Sequence, residues 1–380
     1  MDLCSIYTNK MFRQYLSPAI FLSLALPLCS QASHYQPRID LEQGRFLKAL
    51  ADSEARLMVN DKDALAWASK SQALSALTRF REASEAAQKA ISLNPKLADA
   101  LMARGMASAG RALQQRNLGS ISKVSQAMND LKDAVKRDPN YALALMTLGL
   151  GYQQLPGLLG GSTKKALDCA EQLKRIQPAR GDMLQAQILS MGGMWRSAEP
   201  IFLKALAAAP DDPGIVTAYL EELGSKTTRT SIGEEAQKQK LAKEAERLMR
   251  LHTKSARAVE AISQALLEAG KPEDAWEVAQ EALPEVDAPS IVKLQLGKLS
   301  ARTGVFLEEG LKYLEQAASE PLEGGTGGYA SVHWRRGQVL RALDRLEEAR
   351  AAAQKALEYD PGHNGAKELL NDLSSSKSTN

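Results

Sequence analysis

The feature that most constrains this chain is a recurrence. Small residues and a closing proline return along it with a period of about 34 residues. The unit is clearest from Ala330 to Pro361, ASVHWRRGQVLRALDRLEEARAAAQKALEYDP. Gly337 is small enough for two helices to touch there, and Leu340 follows about one turn later. Ala349 and Ala356 face the first helix from a second one, and Pro361 stops that helix because it has no N–H to donate. Two short amphipathic helices cannot bury their apolar stripes alone, so such a unit makes a core only by stacking on its neighbours.

The pattern repeats along most of the chain. A first unit runs from Ala64 to Pro95, with Trp67, Leu74, Ala83 and Ala90, although Lys70-Ser71 stands where Leu-Gly is usual. A second, Ala98 to Pro139, carries Gly105, Ala127 and Ala134 and has an excess of about eight residues over the period, placed between its helices at Leu113 to Gln126. A third, Ala142 to Pro178, has Leu148-Gly149, Tyr152 and Ala166, with an extended turn at Pro156 to Ser162. A fourth spans Ala179 to Pro210, with Ala186, Gly193, Ala198, Phe202 and Ala205. A degenerate fifth occupies residues 213–255 and reads as a helix, a loop from Gly224 to Gly233 and a charged helix. The sixth recovers the pattern from Ala256, the seventh carries Gly297, Gly304, Leu314 and Ala317, and Gly324 to Gly328 forms a flexible joint before the eighth. These units resemble the tetratricopeptide repeat, which implies an all-α, right-handed α-solenoid of about eight helix pairs. Residues 33–63, with one amphipathic helix from Pro37 to about Met58, cap the N-terminal end. Residues 362–373 cap the other end, and 374–380 form a disordered tail.

Residues 1–32 stand apart from the array. Lys10 and Arg13 precede an apolar run from Ala19 to Leu28, and Ser30-Gln31-Ala32 fits a small-x-small cleavage site. This is the layout of a secretory signal peptide, too short to span a membrane comfortably. Cleavage after Ala32 is expected, Met11 is an alternative start, and an uncleaved anchor is the second reading. Lipidation at Cys29 is disfavoured because Pro27-Leu28 is a poor match to the small residues it needs. The chain is thereby expected to be exported, periplasmic or secreted, with no stable membrane span after processing. Only Cys169 then remains of three cysteines, so no internal disulfide forms. The net charge of +3 on 380 residues gives no nucleic-acid footprint.

No arrangement of reactive side chains stands out, and the reading is a non-enzyme without cofactor or metal. Gly160-Gly161-Ser162-Thr163-Lys164 lacks the order of a phosphate loop and reads as a turn in which Ser162 or Thr163 caps a helix. His34, His252, His333 and His363 are scattered, and no G-x-S-x-G elbow occurs. The carboxylates interleave with Lys and Arg, as at Glu347-Glu348-Ala349-Arg350, in the manner of solvated helix faces.

The resemblance implies that first helices line a concave groove and that partners meet residues three before and one after the small Gly or Ala. That offset picks out Met102, Met106, Met146, Leu150, Met183 and Gln187, with Met191 a turn further on. In later units it gives Glu260 and Gln264, Leu294 and Lys298, then Trp334 and Gln338, with Arg341 nearby. With only 11 methionines in the chain, three at one offset suggest an apolar, adaptable groove for a protein or peptide, although methionines that merely fill gaps between helices fit the spacing equally. The positions where chaperone-binding relatives carry a carboxylate clamp hold Ala68, Gln72, Ala103, Leu143 and Thr147, so that clamp is absent. The leading expectation is an exported interaction scaffold. The alternative is a ligand-binding component of a solute transporter of the tripartite type, which the stretch from Leu155 to Ala166 faintly resembles. A closed, dry cavity would favour the transporter and an open groove the scaffold.

Overall fold

The computed structural model describes residues 35–115, 119–252, 254–323 and 328–375. The leader at 1–32, its two cysteines, His34, the glycine run at 324–327 and residues 376–380 lie outside them. Among the described residues there are twenty α-helices, one short 3-10 turn and no strand.

The eight pairs are α3 (Ala64–Ala76) with α4 (Phe80–Leu93), α5 (Ala98–Gln115) with α6 (Gly119–Arg137), α7 (Ala142–Gln154) with α8 (Thr163–Ile176), and α9 (Pro178–Met191) with α10 (Trp195–Ala208). They continue as α11 (Pro213–Gly224) with α12 (Lys226–Ile232) and α13 (Glu234–Met249), α14 (Ala256–Glu268) with α15 (Pro272–Ala282), α16 (Pro289–Thr303) with α17 (Leu307–Ser319), and α18 (Gly328–Ala342) with α19 (Leu346–Tyr359). First helices pack on one another through much of the array, as α3 does on α5, α9 on α11 and α14 on α16, while successive second helices make little contact with one another. First helices therefore line the inside of an α-solenoid and second helices its outside.

Local chemistry accounts for the pairing. Asp63, Asp212, Ser162 and Ser255 cap the starts of their helices with side-chain oxygens. The turn inside a pair takes a left-handed residue at one register, filled by Thr78, Gly193, Gly270 and Asp344 at φ of 59°, 83°, 82° and 61°. Gly337 is where α18 meets its neighbours: a Cβ there would lie 2.8 Å from Leu369 Cδ2 and 3.1 Å from the Ala349 carbonyl oxygen. The buried side chains form a series of clusters along the array, one of which holds the aromatic group Trp195, Phe202 and Tyr219, with centroids 5.6–6.2 Å apart.

Four local expectations are revised. The N-terminal cap is two helices, α1 (Gln36–Glu42) and α2 (Phe46–Val59), broken where Gly44 takes φ +75°. The excess in the second unit is absorbed by lengthening both helices, to 18 and 19 residues. The stretch expected as a loop in the fifth unit contains α12, capped by Ser225 and tied down by Gln237, which donates to the Leu223 and Ser225 carbonyls. The fifth unit does not break the stack, because Ile215, Tyr219, Leu241 and Leu248 share one core with the fourth, sixth and seventh units. At the far end α20 (Asn364–Ser375) covers the last pair and runs into the stretch expected to be disordered.

The solenoid also closes on itself. Both carboxylate oxygens of Glu323, just before the eighth unit, accept the Leu47 amide at 3.1 and 3.0 Å. A Cβ on Gly328 would sit 3.5 Å from Thr78 Oγ1 in the first unit.

Candidate partner-binding surface

Residues 35–47 run across the inner face, and the starts of successive first helices hold them. Arg38 is buried; its Nη2 donates to Asp138 Oδ2 at 3.0 Å, its Nε lies 3.9 Å from Asp99 Oδ1, and its guanidinium stacks 3.6 Å from the Tyr141 ring centre. Arg180 donates to the Glu42 carbonyl and Arg257 to the Gly44 carbonyl, both at 3.4 Å. Ser290 accepts from the Glu323 amide, which sets the carboxylate that caps Leu47. Asp99, Arg180, Arg257 and Ser290 are each the second or third residue of a first helix. This register lies outside the offset used to predict contacts, and its polar character was the signal that could have found it.

The segment is also braced internally. Asp40 accepts from Lys48 at 2.7 Å, from Gln36 at 3.1 Å and from Arg45. Burial alone would raise its carboxyl, but the bonds from Lys48, Arg45 and Gln36 outweigh it and hold it below the usual range. Asp99 behaves oppositely. Burial dominates there and raises its carboxyl despite Arg38.

Two cavities flank this arrangement. One, of about 560 Å³, lies beside Gly44 and is lined by Lys48, Arg257, Lys293, Glu320 and Glu323. The second, of about 440 Å³, lies on the inner faces of α11, α14 and α16 and is lined by Glu221, Glu260, Gln264, Glu268, Arg257 and Lys298. In it Lys298 pairs with Glu260 at 2.8 Å, and Gln264 donates to Glu268 at 2.7 Å. The Glu221 carboxyl is pushed up, first by the surrounding protein and then by Glu260 and Glu222, with Arg257 opposing. Three carboxylates thus face two cations.

The predicted contact residues separate into three groups. Met102 and Met183 are 0% and 3% exposed, so the expected methionine-lined groove is corrected: these side chains fill space between helices. Met102 packs with Leu101, Tyr141 and Leu145, and Met183 lies in the core that holds Ala186 and Trp195. Met106, Met146 and Leu150 are half-buried against the same clusters, as consecutive first helices approach too closely to leave an apolar side chain free. Gln187 and Met191 are half-buried on α9, and Gln187 Oε1 has no partner. Trp334, Gln338 and Arg341 lie at the far end. Trp334 meets His363 at 4.9 Å and carries the Arg335 guanidinium at 3.9 Å, Gln338 accepts from Arg335 at 2.8 Å, and Arg341 pairs with Asp372 of α20 at 2.8 Å. Only Glu260, Gln264 and Lys298, from the sixth and seventh units, meet around an open space.

Among the described residues no group of three or more His, Cys, Asp or Glu is placed to hold a metal ion. No described helix is long and apolar enough to cross a membrane. Burial pushes the Cys169 thiol up to about 11, which keeps it protonated and unreactive.

Among curated proteins no relative matches the sequence. The chain is similar to a thermophilic TPR protein of Thermus thermophilus, with 24% identity, 50% of this chain and 97% of that one covered, and a TM-score of 0.42. It is similar to yeast Tom70, with 13% identity, 98% and 84% covered, and a TM-score of 0.46. It is also similar to pilF of Pseudomonas aeruginosa, with 20% identity, 62% and 99% covered, and a TM-score of 0.39. The family model for the tetratricopeptide repeat matches residues 64–97 and 330–363, the first and last of the eight pairs. These two pairs are tetratricopeptide repeats, and six more pairs stack between them; such repeats form scaffolds for protein–protein interaction.

Proposed function

We propose that this protein is an exported scaffold whose partner face is the polar cavity on units five to seven. The carrying observation is the convergence of Glu221, Glu260 and Glu268 on one open space against only Arg257 and Lys298. Carboxylates held near one another beside a low-dielectric wall attract a cationic group, so the segment bound there carries lysine or arginine. Export rests on the leader layout of residues 1–32. The transporter reading stands second, because a charged, open cavity suits a protein side chain better than a small apolar solute.

The test is a pull-down from solubilised envelope with the chain, beside a variant carrying Glu221→Gln, Glu260→Gln and Glu268→Gln. A partner recovered at low salt with the unmodified chain, lost at high salt and lost with the variant, supports the reading. The same partners recovered with both chains would overturn it.

A further inference from the structure

Arg38 sits in a receptor built for a guanidinium. Two carboxylates, Asp99 and Asp138, approach it from the start and the end of the second unit, and the ring of Tyr141, just before the third, lies 3.6 Å from it. The receptor is preorganised by bonds that do not involve Arg38: Tyr141 Oη donates to Gln72 Oε1 at 3.1 Å, and Gln72 Nε2 donates to the Asp99 carbonyl at 3.2 Å. Gln72 and Tyr141 are fully buried.

The chain's own arginine does not complete the site. Asp99 is 2% exposed, yet its Oδ1 has no hydrogen-bond partner, and Arg38 comes only within 3.9 Å of it. Beyond Arg38 the segment is anchored by Leu41 in the core and by Glu323 at Leu47, with longer ties between those points. Its ties to Arg180 and Arg257 are both 3.4 Å long, its helix is seven residues, and a cavity of about 560 Å³ opens beside its turn at Gly44. A buried carboxylate oxygen left without a donor is costly, and a guanidinium placed to fork between Asp99 and Asp138 would satisfy it.

We propose that the seat formed by Asp99, Asp138 and Tyr141 binds an arginine from a segment of a partner protein, and that residues 35–47 are a built-in occupant which this segment displaces. The site is separate from the polar cavity of units five to seven and stands whether or not that cavity binds anything. It selects arginine over lysine, because only a planar guanidinium stacks on Tyr141 while donating to both carboxylates.

The test uses the full chain and a fluorescent peptide copying residues 35–47, YQPRIDLEQGRFL. An Arg38→Ala chain, its seat vacated, should bind the peptide about tenfold more tightly than the unmodified chain, and a peptide carrying Arg38→Lys should bind about tenfold more weakly than the arginine form. Adding Asp99→Asn to the Arg38→Ala chain should abolish the difference between the two peptides. Equal binding to both chains, equal binding of both peptides, or no binding to an Arg38→Ala chain that keeps its helical circular dichroism would each overturn the proposal. Should that variant lose its helices, the unmodified chain decides the matter. Excess arginine peptide must accelerate hydrogen exchange at residues 36–47 of the chain and the lysine peptide must not, and failure of either condition overturns the proposal.

Discussion

Closure of the solenoid can be tested at one carboxylate. Glu323 caps the first turn of α2 from 276 residues away. A backbone N–H donated to an ionised carboxylate contributes about 1.5–3 kcal/mol, and loss of a helix N-cap costs about 0.5–2 kcal/mol. Burial works against the bond: it is the largest influence on Glu323 and raises its carboxyl, while Leu47 and Arg257 oppose it. The charged form is therefore partly disfavoured, which places the net effect of Glu323→Ala at about 1–2 kcal/mol. Glu323→Gln keeps an acceptor oxygen for Leu47 and should cost about 0.5 kcal/mol. Because about 1.4 kcal/mol is a factor of ten in an opening equilibrium, the Leu47 amide should exchange about tenfold faster in the alanine variant and within about threefold of normal in the glutamine variant. The pH dependence has a definite sign. A carboxyl raised in the folded state makes that state bind its proton more readily, so this group lowers stability as pH climbs from the ordinary glutamate range through its own folded value. Glu323→Gln should remove that component. Unchanged Leu47 exchange in Glu323→Ala would refute the argument that this contact joins the chain before the last unit to the N-terminal cap.

Three further outcomes are expected. Asp40, whose carboxyl is held low by Lys48, Arg45 and Gln36, contributes stability present above its unfolded value near 3.9 and lost as pH falls through its lower folded value. Asp40→Asn should make the fall of the urea midpoint on acidification shallower and cost about 1–2 kcal/mol at pH 7. Thr78 is a β-branched residue at φ 59°, so Thr78→Gly relieves about 1–2 kcal/mol of strain against about 0.5–1 kcal/mol of added chain entropy, and a net gain of about 0.5–1 kcal/mol should appear as a raised urea midpoint. Trp195→Ala, at the centre of the aromatic group, should cost about 3–5 kcal/mol, read by hydrogen exchange as a loss confined to units four and five with unit eight unchanged.

The architecture was legible because the repeat constrains one residue type per place. Gly337 must be small where α18 meets Ala349 and Leu369, and Pro361 must end α19. Such requirements are local and survive in the sequence. The binding surface was less legible, because an offset along a helix does not say how closely the next helix approaches. Met102 and Glu260 share a register. Met102 is enclosed by Tyr141 and Leu145, while Glu260 faces a cavity with Lys298. The path of residues 35–47 was not legible at all. Its contacts lie up to 276 residues away, and they rest on Gly44 turning the chain inward at φ +75° where an unbroken helix was expected.

Arg257 connects the two halves of the inner face. It donates to the Gly44 carbonyl, its guanidinium lies 4.9 Å from the Phe46 ring centre, and it lines both cavities. It is also the cation that opposes the raised Glu221 carboxyl. A positive group entering the polar cavity would take over that task at Glu221 and would repel Arg257 toward the N-terminal segment. A partner that draws residues 35–47 out of the channel removes the carbonyl that Arg257 donates to and turns its charge back toward the carboxylates. Each event thus changes the field felt at the other site through one side chain, and linkage requires the effect to be equal in both directions.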